Sequence, residues 1–123
     1  GPALQYAAKI ARQPYKLVNG PDALNIIAVK SGSNVTISGV VDDQKNGNNT
    51  IRKAAYFIDT PYWNGGTLHQ MQAVDGSFNT PTEFITATFS ITGLAAGQHI
   101  VFVHGKDSAG NFGPASAVFF SVP

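Results

Sequence analysis

The sequence predicts an all-β chain, a seven-stranded antiparallel sandwich with one short helix at its N-terminal end. Three observations carry this. Apolar and polar residues alternate with period two in seven short segments. Those segments are separated by Gly, Asn, Asp and Pro clusters at the close, regular spacing of a sandwich. Finally, only 12% of the residues are charged, while β-branched and aromatic residues are plentiful, a usage that favours strands over helices.

Ala3 to Arg12 (ALQYAAKIAR) is the helical exception. Leu4, Ala7, Ala8 and Ala11 recur at helical spacing, and Pro14 stops the pattern. A helix of this length is marginal alone, so its apolar face is expected to rest on another surface. Tyr15 to Asp22, with its Asn-Gly-Pro-Asp breaker, reads as a linker, which places the sandwich at residues 23–123. Gly1-Pro2 reads as a protease scar, so the native start is expected upstream.

The first two strands are expected at Leu24 to Val29 and Asn34 to Val41, joined by Ser31-Gly32-Ser33. In the second, Val35, Ile37, Gly39 and Val41 share a face. The polar run Asp42 to Thr50 must be a solvent loop. Ile51 to Asp59 follows, with Ala54, Tyr56 and Ile58 inward, and Pro61 ends it because proline cannot donate to a ladder. A loop with Tyr62, Trp63, Gly65 and Gly66 leads to a short strand at Leu68 to Ala73. Glu83 to Ile91 alternates, with Ile85, Ala87, Phe89 and Ile91 on one face. Gln98 to Lys106 places Val101 and Val103 inward, and Ala115 to Val122 closes the set with Val118, Phe120 and Val122. Seven such strands without a cysteine pair fit an immunoglobulin or fibronectin type III sandwich held by packing alone.

The formal charge of +1, from eight basic and seven acidic residues with no cluster of basic ones, gives no field for nucleic acid. No apolar run reaches the ~20 residues of a membrane span. Catalytic constellations are also missing from the sequence. There is no Gly-x-Ser-x-Gly elbow, no Ser-x-x-Lys and no cysteine. His99 and His104 are five apart on one strand and so face opposite ways, unable to share a metal, and both are expected to be solvent-facing or half-buried. His69 is expected where the loop meets the short strand at Leu68 to Ala73, with no partner in sequence.

The acids suit a hard cation better than catalysis, since calcium takes six to eight oxygens and sandwich loops rich in Asp, Asn and Gly can converge to supply them. Candidate calcium ligands are Asp42 and Asp43 in the long loop, Asp59 at a strand end, Asp75 in its Asp-Gly turn and Asp107 in the last hairpin; each also suits plain turn geometry. Tyr62 and Trp63 are candidates for stacking on a sugar or a partner, and equally for lidding their own sandwich.

Three stretches carry a resemblance. The segment YFID-x-P (Tyr56 to Pro61), the turn from Met71 to Phe78 and the hairpin GKD-x-x-GN (Gly105 to Asn111) resemble the immunoglobulin-like module at the C-terminus of secreted bacterial zinc carboxypeptidases. The leader from Ala3 to Ala23 is similar to the last helix and exit of their catalytic domain. The resemblance implies an exported, monomeric accessory module without catalytic residues. Its partners would be the upstream catalytic domain and a cell-surface or protein substrate. Zinc is implied only for that upstream domain. The alternative reading is an extracellular adhesion or carbohydrate-binding module using the Tyr62-Trp63 loop.

Overall fold

The structure, a computed structural model, describes residues 20–123. The helix expected over Ala3 to Arg12 and most of the following linker lie outside the described residues. The linker's end is not loose, however. Gly20 and Pro21 are buried, and the first strand already begins at Asp22.

Seven antiparallel strands follow: β1 (Asp22–Ser31), β2 (Asn34–Asp42), β3 (Ile51–Ile58), β4 (His69–Ala73), β5 (Thr82–Ser90), β6 (Gly97–Asp107) and β7 (Ser116–Val122). All seven expected strands are present, with ends displaced by two residues or fewer. They form one sheet in the order β1-β2-β5-β4-β3-β6-β7. Short β4 makes the corner. Ala54 and Ala55 of β3 pair with its Met71 and Gln70, whereas its Gln72 and Ala73 pair with Thr86 and Ile85 of β5. The sheet therefore turns back on itself, bringing β1-β2-β5 opposite β3-β6-β7.

The alternation that marks the strands also fills the space between them. Val35, Ile37 and Val41 of β2, Ile85 of β5, Ala54 and Tyr56 of β3, Val101 and Val103 of β6 and Phe120 of β7 form one buried cluster. Ile37, Ile85, Val101 and Val103 are completely buried. Each such aliphatic side chain contributes roughly 1.5–3 kcal/mol of burial free energy. Glycine is needed where β1 bulges between Leu24 and Ile27: a Cβ on Gly39 of β2 would sit 2.3 Å from the Ile26 Cδ1 that crosses it.

The seam between β1 and β7 has no backbone ladder, yet it is tightly joined. Ser116 Oγ donates to the Ala23 carbonyl at 2.6 Å. A Cβ on Gly113 would meet the Pro21 carbonyl oxygen at 1.6 Å, so the incoming chain and the β6–β7 turn pack backbone to backbone. Among the described residues no helix is long and apolar enough to cross a membrane.

Candidate functional site

Three places gather chemistry-bearing side chains, and strand β6 runs past all of them. The first is the outer face of β3 and β6. Ala55 and Phe57 point away from the inner core, as does Phe102, yet all are buried, together with Ala115, in a second apolar cluster. The 3-10 turn Tyr62–Asn64 lies over it, started by extended Pro61 and ended by left-handed Gly65 (φ 83°). Tyr62 packs on Phe57 with ring centres 6.0 Å apart, and Trp63 meets Phe102 edge-on at 5.8 Å. The candidate aromatics thus lie against their own sheet, as half-buried residues.

His104 sits in this layer at 3% exposure, which corrects the expectation that it is solvent-facing or half-buried. It alternates away from Val101 and Val103, and the outer face it joins is itself covered. Its imidazole stacks between Tyr62 (4.7 Å) and Phe112 (5.0 Å), with the edge of Phe57 at 5.4 Å. Burial lowers its pKa to about 4, with the Gly113 backbone opposing the shift. That backbone nevertheless gives neither ring nitrogen a hydrogen bond of acceptable geometry. The ring is neutral at physiological pH and serves as an aromatic filler.

The second place is the start of β6. His99 Nδ1 contacts Asp59 Oδ2 at 2.6 Å and its Nε2 the Ala95 carbonyl at 2.7 Å. These hydrogen bonds raise its pKa, that to Ala95 first and that to Asp59 next. Asp59 takes a left-handed conformation (φ 63°), and its Oδ1 accepts the Ile100 N–H. Both imidazole nitrogens are engaged, so the pair is a structural clasp between β3 and β6 rather than a general base. His69 opens β4 and stacks on Tyr56 at 4.8 Å.

The third place is the far end of β6. Asp43 and Asp107 are both fully buried, at 0% and 1% exposure, in a chain that has few buried polar groups. Asp43 Oδ2 accepts the Asn49 N–H at 2.7 Å and Asp107 Oδ1 the Asn111 N–H at 2.9 Å. Desolvation raises the Asp43 pKa, and the negative charge of the nearby Asp107 carboxyl raises it further. Asp43 Oδ1 and Asp107 Oδ2 have no hydrogen-bond partner among the described residues.

Of the five candidate calcium ligands, then, Asp43 and Asp107 come together. Asp42 turns to Gln44 N–H and Thr82 Oγ1, Asp59 is clasped to His99, and Asp75 caps Ser77 N–H in its own turn. No group of three acidic or histidine side chains able to hold a metal is found among the described residues. Glu83, an acid at a strand end, is no part of this pair. It is buried, and its Oε2 accepts N–H bonds from Asn79 and Thr80, fastening the loop before β5.

The sequence has no match among known protein families or curated proteins. The fold does have counterparts among solved structures. Wild-type OgpA from Akkermansia muciniphila superposes with a TM-score of 0.59 at 11% identity over 82% of this chain and 28% of that one. A catalytically inactive OgpA in complex with an O-glycopeptide substrate gives 0.57 at 9% identity, over the same shares. A polysaccharide deacetylase from Bacillus cereus gives 0.52 at 13% identity over 83% of this chain and 30% of that one. The chain spans less than a third of each of these proteins. At such identities the likeness is one of fold.

Proposed function

We propose that this chain is a non-catalytic, immunoglobulin-like sandwich module that stabilises or positions the catalytic domain of an exported enzyme, a zinc carboxypeptidase by its sequence resemblance. The observation that carries the reading is the locked entry of the chain. Gly20 and Pro21 are packed against Phe112 and Gly113, beside the aromatic outer face, so the described chain enters the sandwich at a fixed point. A flexible tether would need no such contact. The similarity to about 30% of a longer deacetylase and 28% of a longer OgpA chain supports a module-sized unit within a larger protein. Fold alone assigns no chemistry, so the parent activity rests on the resemblance of the YFID-x-P and GKD-x-x-GN stretches.

The test uses the longer gene product with and without residues 20–123, beside the present chain. Release of C-terminal amino acids from peptides is expected from the long form only, and removal of the sandwich should lower its thermal midpoint. Peptide turnover by the 123-residue chain itself would overturn the reading. Sugar stacking on Tyr62 and Trp63 is the competing use; one face of Tyr62 is already taken by His104.

A further inference from the structure

We infer that Asp43 and Asp107 form a binding site for a calcium-class cation, which joins the β2–β3 loop to the β6–β7 turn. The inference is independent of which enzyme carries the module. It begins with two oxygens. Asp43 Oδ1 and Asp107 Oδ2 are buried and accept no hydrogen bond among the described residues, and their carboxyls are brought near each other where Asn49, which donates to Asp43, leads into Ile51, which pairs with Asp107. A carboxyl oxygen withdrawn from water without a donor is costly, and two near each other are worse. The remaining oxygen of each carboxyl is already held by a backbone N–H, from Asn49 and Asn111, so neither group can turn away.

No basic side chain among the described residues forms an ion pair with either carboxyl, although Arg52, Lys53 and Lys106 line a cavity beside Asp107. Lys106 is adjacent in sequence to Asp107, but its ammonium lies 5.0 Å from the centre of the Phe112 ring. The only ion pair among the described residues is that of His99 with Asp59. A cation bound from solution satisfies both free oxygens at once. The surroundings choose its class. Oxygen and amide groups make up the site, with Asn49 beside Asp43 and Asn111 beside Asp107, and no thiol or imidazole takes part. Such a donor set favours a hard ion, and a site built from two loops suits the flexible coordination of calcium better than the strict octahedron of magnesium. The two loops are already tied at one point by the bond from Ser108 N–H to the Thr50 carbonyl at 2.7 Å. Cation binding would therefore tighten an existing joint.

Calorimetric titration of calcium into the chelator-treated 123-residue chain tests this, with thermal midpoints measured in calcium, in magnesium and in sodium at matched ionic strength. The expected result is a dissociation constant of about 10⁻⁴–10⁻³ M, the weak end of the protein calcium range, and a midpoint raised by about 4–8 °C in excess calcium with a smaller response to magnesium. Asp107→Asn should abolish the calcium response, while Asp75→Asn, in an exposed turn, should keep it. Absence of heat and of any midpoint change at ~10 mM calcium would overturn the site. So would an Asp107→Asn variant that keeps the full response. A metal-free gain in midpoint for Asp107→Asn, with no calcium effect on the parent chain, would show instead that the pair shares a proton. The parent-chain titration decides the matter even if the variants fail to fold.

Discussion

The outer face of β2 and β5 is open to water and carries mostly hydroxyls, with Thr36 opposite Thr88, Ser38 opposite Thr86 and an exposed Phe84 opposite Val40. That of β3 and β6 carries Ala55, Phe57, Phe102 and His104, all buried. Both faces turn away from the same inner core, and both belong to antiparallel strands. The difference lies in what crosses them. The 3-10 turn after β3 folds back over its own strand, and the β6–β7 turn brings Phe112 onto the other side of His104, so this half of the sheet is buried on two faces. The other half keeps one wet face, as antiparallel sheets commonly do. The asymmetry teaches that the molecule has two layers of apolar packing, one aliphatic and inside, the other aromatic and outside, and that the chain enters beside the second.

The sharpest way to break this comparison is Phe57→Ala. If the outer layer is a core in its own right, removing a ring that is 3% exposed should cost about 3–5 kcal/mol, as in an interior site. Urea unfolding followed by fluorescence measures it. A loss below about 1 kcal/mol, the scale of an ordinary surface substitution, would show that the aromatic layer is a loose cover.

Much of this was legible in the sequence. The seven strands and their inward faces followed from alternation and from turn residues, since local pattern and burial agree along β2, β5 and β7. The double burial of β3 and β6 was harder to see. Its signal was present in the uninterrupted runs Ala54 to Ile58 and Ile100 to Val103, because a strand without polar alternation is buried on both faces. Alternation alone puts His104 on the outer face, and spacing does not report that this face is covered. The meeting of Asp43 with Asp107 depends on how strands distant in sequence end side by side, which spacing cannot report. The bulge at Asn25 (φ 55°) and the change of partner along β4 are likewise products of packing.

The next prediction uses pH, and the two histidines of β6 have opposite signs. The unfolded chain takes up a proton at His104 near pH 6.5, while the folded chain refuses it until about pH 4. Stability from this group is complete above 6.5, falls as the pH drops to about 4 and levels off below; the gap corresponds to about 3 kcal/mol. His104→Phe keeps an aromatic ring in the stack and removes the proton acceptor. Denaturation midpoints across this range should therefore fall more steeply for the parent chain than for the variant, and parallel profiles would sink the assignment. His99 behaves in the other sense. Its raised pKa gives stability that is present below pH 6.5 and lost as the pH rises through its folded value, so His99→Gln should flatten only the alkaline side.

The smallest effect belongs on the wet face. Thr36 and Thr88 face each other across β2 and β5 with their hydroxyls 2.9 Å apart, both exposed. Thr88→Val keeps the branched shape that suits a strand and removes one partner of that hydrogen bond, while water can still reach the Thr36 hydroxyl left behind. The expected change is within about 0.5 kcal/mol, read from the same urea curves. Because Thr88 and Phe57 both point away from the shared core, the ratio of their effects measures the asymmetry directly. A loss at Thr88 as large as that at Phe57 would mean that the hydroxyl face is covered as well, and the contrast between the two halves of the sheet would disappear.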